Sequence, residues 1–150
     1  MRTRFLAVAL AAAALPAAVR AQAPAITWGP APAVFRPGAR MAVMQGDPSQ
    51  TGLYTVRLDM PDGYRIAPHF HPTDEHVTVI SGTFLVGMGD SIDLAHAMTL
   101  PAGGFITAGA GMHHFGIARG HTVVQVHGMG PFALTYVNAK DDPSKGPSSR

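Results

Sequence analysis

The segment spanning residues 63–82 constrains the fold most, because it places three candidate metal ligands within seven residues. His69 and His71 are two positions apart, and such residues point to the same face of an extended strand. Glu75 shares their parity, although Pro72 interrupts any continuous strand through it. The segment therefore predicts a β-scaffold that aims two imidazoles, and a carboxylate close by, at one metal ion.

The rest of the chain carries short apolar runs separated by turns that contain glycine or proline. Short β-branched runs at such regular intervals are typical of a sandwich or a closed barrel. In the clearest run, Tyr54, Val56 and Leu58 alternate with polar residues. Residues 91–98, with Asp90 as a candidate N-cap, are expected to form a short helical or loop insertion. The predicted strands are 40–45, 53–60, 77–81, 84–88, 105–107, 115–118, 122–127 and 132–137.

Residues 1–23 have the layout of a secretory signal peptide. Arg2 and Arg4 precede an apolar run without charge, which at eleven residues is too short to span a bilayer. We expect cleavage after Ala21 or Ala23, and therefore a protein that works in the periplasm or is secreted. Residues 24–137 are expected to form one barrel domain, and residues 138–150 a flexible C-terminal tail.

Export changes what the charge of the chain implies. Three of the 11 Lys and Arg residues lie in the predicted signal peptide, which leaves eight against nine Asp and Glu residues. The mature chain has no basic cluster, so we expect neither nucleic acid nor an acidic membrane surface as a partner, and no stable membrane span. The chain also has no cysteine. It therefore folds without disulfides, and any metal must be held by histidine, carboxylate and water.

A second group of glycines and histidines occupies residues 103–115. His113 and His114 are adjacent, so on a strand they face opposite ways and only one of them can bind the same metal. The intervals of both segments resemble the two motifs of the cupin superfamily. Segment 63–82 matches the first motif at every position, namely Gly63, His69, His71, Glu75 and Gly82. The second motif is matched by Gly103, Gly111 and His114, whereas Gly109 replaces its proline and Ala118 its asparagine.

The resemblance implies an all-β fold, the cupin double-stranded β-helix or jelly-roll barrel, with one mononuclear divalent metal inside it. It implies four metal ligands, which are His69, His71, Glu75 and His114. Three imidazoles and one carboxylate suit Fe, Mn, Ni, Cu, Co or Zn and do not choose among them. The resemblance also implies a small-molecule ligand or substrate, and a homodimer.

Gln125, His127 and His113 are further candidates for the surroundings of the metal. Gln125 and His127 share one face of the predicted strand 122–127. If that face lines the cavity, they contact substrate or orient the metal-bound imidazoles. If it faces outward, they lie on the surface or at a subunit contact. His113 is expected at the rim of the site or outside it.

Two classes of function remain open from the sequence. One is a metal-dependent enzyme with dioxygenase or isomerase/lyase chemistry, in which Glu75 is the candidate proton acceptor. The other is a non-catalytic periplasmic module that binds a small molecule or senses metal, because a fold and a motif do not establish chemistry.

Overall fold

The computed structural model describes residues 25–146, which form a single curled antiparallel sheet of nine strands. The strands are β1 (Gly29–Pro30), β2 (Arg40–Gln45), β3 (Gly52–Met60), β4 (Arg65–Phe70), β5 (Glu75–Met88), β6 (Met98–Pro101), β7 (Phe105–Ala108), β8 (His114–Gly130) and β9 (Thr135–Tyr136). Two 3-10 helices follow, Ala139–Asp141 and Pro143–Lys145. The all-β prediction is confirmed, whereas the predicted signal peptide lies outside the described residues.

The barrel is organised around β5 and β8, two long strands that each contain two of the predicted short ones. The C-terminal half of β8 pairs with β3 and with the first half of β5. Its N-terminal half pairs with β4 and with the second half of β5. Strands β6 and β7 cover the other side of β5, and β1, β2 and β9 complete the edges.

Gly82 lies at the bend of β5 and not at a turn between two strands. Its φ is 78°, and the pairing with β8 shifts register on both sides of Ser81. A Cβ at this position would lie 2.4 Å from the carbonyl oxygen of His121. Only glycine fits such a conformation and such a close approach, so Gly82 permits the bulge that lets the sheet curl. Gly63, with φ of 72°, does lie in the turn between β3 and β4.

The hydrophobic core lies inside the curl of the sheet. Tyr54, Val56 and Leu58 of β3 are buried, as their alternation predicts, and Val124 and Val126 of β8 pack in the same cluster. Burial of each large apolar side chain contributes about 1.5–3 kcal/mol to the stability of the domain. The core therefore also fixes which face of β3, β5 and β8 points inward.

Asp59 breaks the alternation of β3, because it is buried although it faces away from the core. It forms an ion pair with Arg40, and His121 Nε2 lies 2.5 Å from its Oδ1. Burial raises the pKa of Asp59, but hydrogen bonds from Arg40 and His121 outweigh this effect and hold the pKa below its usual value. The Arg40 guanidinium also lies 5.5 Å from the ring centre of Trp28. This cluster ties β2 and β3 to β8.

The structure decides between the two forms expected for residues 91–98, which contain a loop and no helix, and Met98 already begins β6. The carboxylate of Asp93 accepts a hydrogen bond from the backbone N–H of Ala95 at 3.0 Å, and such local side-chain bonds compete with a helix. The predicted strand 132–137 is reduced to β9. Among residues 25–146, no helix has the length and apolar character needed to cross a membrane.

Candidate metal centre

The four predicted ligands meet where β4 ends and where β5 and β8 begin. His69 belongs to β4 and lies directly opposite His114, the first residue of β8. His71 follows the end of β4, and Glu75 is the first residue of β5. Each of the four residues offers one atom to a group in which all atoms lie within 4.8 Å of one another. The three histidines are buried, and the Glu75 side chain is 12% exposed. The arrangement could hold one metal ion.

Backbone carbonyl groups orient all three imidazole rings. A carbonyl oxygen can only accept a hydrogen bond, so the ring nitrogen facing it carries a proton, and in the neutral ring the other nitrogen has the lone pair. The acceptors of the Nδ1–H groups are Ala67 O at 2.7 Å for His69, Ala133 O at 2.7 Å for His71 and Met112 O at 3.0 Å for His114. Each ring thus presents Nε2 as a potential ligand, in the manner of metal-binding histidines whose other nitrogen is held by a neighbour.

The charges in this group are strongly coupled. Burial lowers the pKa of His69 to about 3, helped by the neighbouring rings of His114 and His71, so His69 is neutral at pH 7. Burial also lowers the pKa of His114, but the hydrogen bond to Glu75 outweighs it and raises the pKa. Burial raises the pKa of Glu75, yet the hydrogen bond from His114 and the nearby imidazoles bring it below its usual value. Glu75 is therefore a carboxylate.

The donor set fits a divalent transition metal. The Nε2 atom of His71 is buried, lies 3.4 Å from Oε1 of Glu75 and has no hydrogen-bond partner among residues 25–146. A buried polar atom without a partner costs free energy, and a cation would remove that cost. The Nε2 atom of His114 lies 3.2 Å from the other carboxylate oxygen. Three imidazoles and one carboxylate around a common point match the preference of borderline divalent metals.

A cavity of about 280 Å³ opens onto the candidate metal centre. His69, Glu75 and His114 line it, together with Phe132, which stacks on Phe35. Its volume is close to the lower end of the range of known ligand pockets, so it suits a small molecule. The barrel strands contribute mostly apolar side chains, including Val56, Leu58, Val77, Val86, Val124 and Val126.

Tyr54 also lines the cavity, and the sequence did not single it out as a functional residue. Burial and the negative charge of Glu75 raise the pKa of Tyr54 to about 12, so its hydroxyl keeps its proton. The sequence indicated only that Tyr54 shares the core-facing side of β3 with Val56 and Leu58. That alternation shows an inward direction but not that the interior contains a cavity.

The structure places Gln125 and His127 away from the cavity, which corrects the interpretation that they line it. The inward positions of β8 belong to Val124 and Val126, and side chains alternate along a strand. Gln125 accepts a hydrogen bond from Arg57 at 3.1 Å on the outer face. The ring of His127 stacks against His76, with 5.0 Å between ring centres.

His113 lies outside the cavity as well. Its ring stacks on Phe70 at 5.0 Å, and its Nδ1 lies 2.5 Å from a carboxylate oxygen of Asp90. Its neighbour His114 points inward, as adjacent residues at a strand end face opposite ways.

Solved structures that are similar to this chain identify its fold. An RmlC-like cupin from Shewanella frigidimarina NCIMB 400 has 16% identity, covers 61% of this chain and 76% of its own, and gives a TM-score of 0.52. A candidate acetylacetone dioxygenase from Methylibium petroleiphilum PM1 has 22% identity and covers 86% and 89%, with a TM-score of 0.62. The polyketide cyclase RemF from Streptomyces resistomycificus has 14% identity and covers 80% and 85%, with a TM-score of 0.64. The protein has the cupin fold, so the fold that the resemblance in the sequence implied is confirmed.

The family follows from the sequence match. Residues 20–143 match the family described as Domain of unknown function (DUF4437), and the chain belongs to that family. No curated protein matches the chain.

Proposed function

We propose that the chain is a metal-dependent enzyme that acts on a small organic molecule. The observation that supports this is the convergence of four ligand atoms within 4.8 Å beside a cavity of about 280 Å³. His69, His71, Glu75 and His114 would hold one divalent transition metal. Bound there, the metal would supply Lewis-acid polarisation of an oxygen donor of the substrate.

The side chains of the cavity define what the protein itself contributes to catalysis. The apolar walls exclude water and thereby strengthen every electrostatic interaction at the centre. Glu75 keeps its charge and is the candidate proton acceptor for the reaction. Dioxygenase chemistry is the reaction class we favour, because a candidate acetylacetone dioxygenase is similar over most of both chains. Isomerase or lyase chemistry is the alternative.

A non-catalytic binding module is the second candidate function. The observation in its favour is the small number of acid–base groups in the cavity. Among the described residues that line it, only His69, Glu75, His114 and Tyr54 titrate. A module that captures a metal-chelating small molecule needs no further groups, because the ligand atoms and the apolar walls already provide affinity.

Metal content and turnover test these two functions in order. Elemental analysis of the purified protein should show about one transition metal per chain. The metal-loaded protein should then consume oxygen with at least one member of a panel of dicarbonyl, phenolic and flavonoid compounds. Tight binding of a panel member without turnover favours the binding module. A chain that neither contains nor takes up a transition metal contradicts both functions.

We also propose that the protein works outside the cytoplasm, on the basis of the leader-like residues 1–23. Mass spectrometry of protein from a cell-envelope or culture fraction should show a mature N-terminus after Ala21 or Ala23. Full-length chain confined to the cytoplasm contradicts this proposal. The homodimer stays a prediction, which light scattering of the mature chain at several concentrations would test.

A further inference from the structure

The cavity has ionisable side chains at the metal centre, whereas the rest of its wall is mostly apolar. No lysine or arginine is among the described residues that line it, and Glu75 is the one carboxylate there. Apart from the metal-binding group, its polar side chains are Tyr54 and Ser49. Ser49 is exposed, and its hydroxyl donates to Asp47 at 2.7 Å. Tyr54 is therefore the one buried polar group that the wall offers to a ligand.

Tyr54 differs from the other two tyrosines in what its hydroxyl contacts. The hydroxyl of Tyr64 donates to the carbonyl oxygen of Arg36 at 2.6 Å, and that of Tyr136 donates to Val34 at 2.8 Å. Tyr54 forms no side-chain hydrogen bond within residues 25–146, and the one fully enclosed polar side-chain atom without a partner among them is His71 Nε2. The Tyr54 hydroxyl is therefore open to the cavity that the residue lines, and it can donate a hydrogen bond to a ligand there.

The register of the sheet brings this hydroxyl close to the metal centre. Gly128 of β8 pairs with Tyr54 of β3 on one side and with Glu75 of β5 on the other. Because Gly128 has no side chain, the ring of Tyr54 extends across it. A Cβ built on Gly128 would lie 3.2 Å from the Tyr54 hydroxyl. Tyr54 and Glu75 thus face the cavity with no side chain between them.

A charged ligand has little to pair with in this cavity beyond the metal centre. Burial of an ionised group without a partner is costly, whereas burial of apolar surface is favourable. We propose that the site selects an uncharged molecule with an apolar body, whose oxygen-bearing head lies between the metal centre and the hydroxyl of Tyr54. This inference rests on the proposed metal-dependent function and specifies the substrate class of the same site.

Ligand binding to zinc-loaded protein tests the substrate class. Zinc has no redox chemistry, so affinity is measured without oxidative turnover. Calorimetry should show that benzoylacetone binds at least tenfold more tightly than acetylacetone, because its phenyl group adds buried apolar area. Malonate, which has similar spacing between its oxygens but carries two negative charges, should bind at least tenfold more weakly than acetylacetone. Malonate binding as tightly as benzoylacetone would overturn the proposed selectivity.

A Tyr54→Phe variant tests the hydrogen bond, with Tyr136→Phe as the matched control. Each substitution removes one buried hydroxyl and keeps the ring. We expect Tyr54→Phe to lose about tenfold in affinity for benzoylacetone while its zinc content and melting temperature stay close to those of the wild type. Tyr136→Phe should lower the melting temperature and leave the affinity unchanged. Unchanged affinity in Tyr54→Phe would exclude the proposed contact.

Zinc content separates failure of this inference from failure of the proposed function. If the wild-type chain binds no zinc and no other transition metal, the proposed function is wrong and the inference fails with it. If zinc is bound at one ion per chain and malonate is preferred, the inference alone is wrong and the metal-dependent function stands.

Discussion

Replacement of one ligand histidine should abolish most of the stability that the barrel gains when it binds a metal. The ligand atoms come from residues 69–75 and from His114, so they converge only in the folded chain. A metal that binds only the folded state stabilises it by about 2.7 kcal/mol when its free concentration is about 100 times the dissociation constant. His71→Ala is the informative substitution, because the buried Nε2 of His71 has no hydrogen-bond partner in the described part of the chain.

The size of the effect follows from the lost ligand. Removal of groups that merely orient metal ligands weakens binding by about 10–100-fold, so loss of a ligand itself should cost about 100-fold or more. At the same metal concentration the stabilisation then falls to about 0.4 kcal/mol. The difference of about 2.3 kcal/mol corresponds to about 7–14 °C in melting temperature for a domain of this size.

Thermal unfolding followed by circular dichroism, with added metal and with excess chelator, measures this difference. The wild type should gain stability on metal addition, and His71→Ala should gain almost none. His127→Ala is the matched control, because this histidine lies on the outer face of β8 and should leave the gain intact. A gain in His71→Ala as large as that of the wild type would refute the proposed metal centre.

Two further predictions concern the stability of the barrel. Asp59→Asn should lower the free energy of unfolding at pH 7 by about 1–3 kcal/mol. Because the pKa of Asp59 is below its usual value of 3.8, its contribution is present above that pH and is lost as the pH falls further. Urea unfolding at pH 7 and pH 3 should therefore show a smaller gap between wild type and variant at pH 3, and an equal gap would contradict this. Gly116→Ala should lower the free energy of unfolding by about 1–3 kcal/mol, because the new Cβ would lie 2.3 Å from the ring of Phe84. Gly29→Ala is the control and should change it little, because no atom lies closer than 3.9 Å to the new Cβ. Equal urea midpoints for the two alanine variants would count against the packing argument.

Local spacing accounts for the predictions that the structure bears out. The two-residue interval of His69 and His71 and the adjacency of His113 and His114 both depend on the alternation of side chains along a strand. That alternation acts over a few residues and can be read without knowing the fold. The same reason explains why the inward face of β3 was predicted correctly, with Tyr54 on it.

The sequence is least informative about features that depend on packing between distant parts of the chain. The polar character of Gln125 and His127 is compatible with a cavity or with the surface. The choice depends on how β8 packs between β3 and β5. Residues 91–98 could be a helix or a loop from the sequence, and the loop forms because Ile92 and Leu94 stay exposed and Asp93 makes a local hydrogen bond.

The sequence by itself determined the all-β class through short-range alternation, and it offered four candidate ligands through the resemblance of two segments to the cupin motifs. Only the tertiary structure decided that the ligand atoms converge within 4.8 Å and that the outer face of β8 carries Gln125 and His127. It also decided that Gly128 leaves Tyr54 and Glu75 facing one cavity. The physical reason is that convergence depends on strand register, which is set by pairing between residues far apart in the chain, 45 positions for His69 and His114 and 74 for Tyr54 and Gly128.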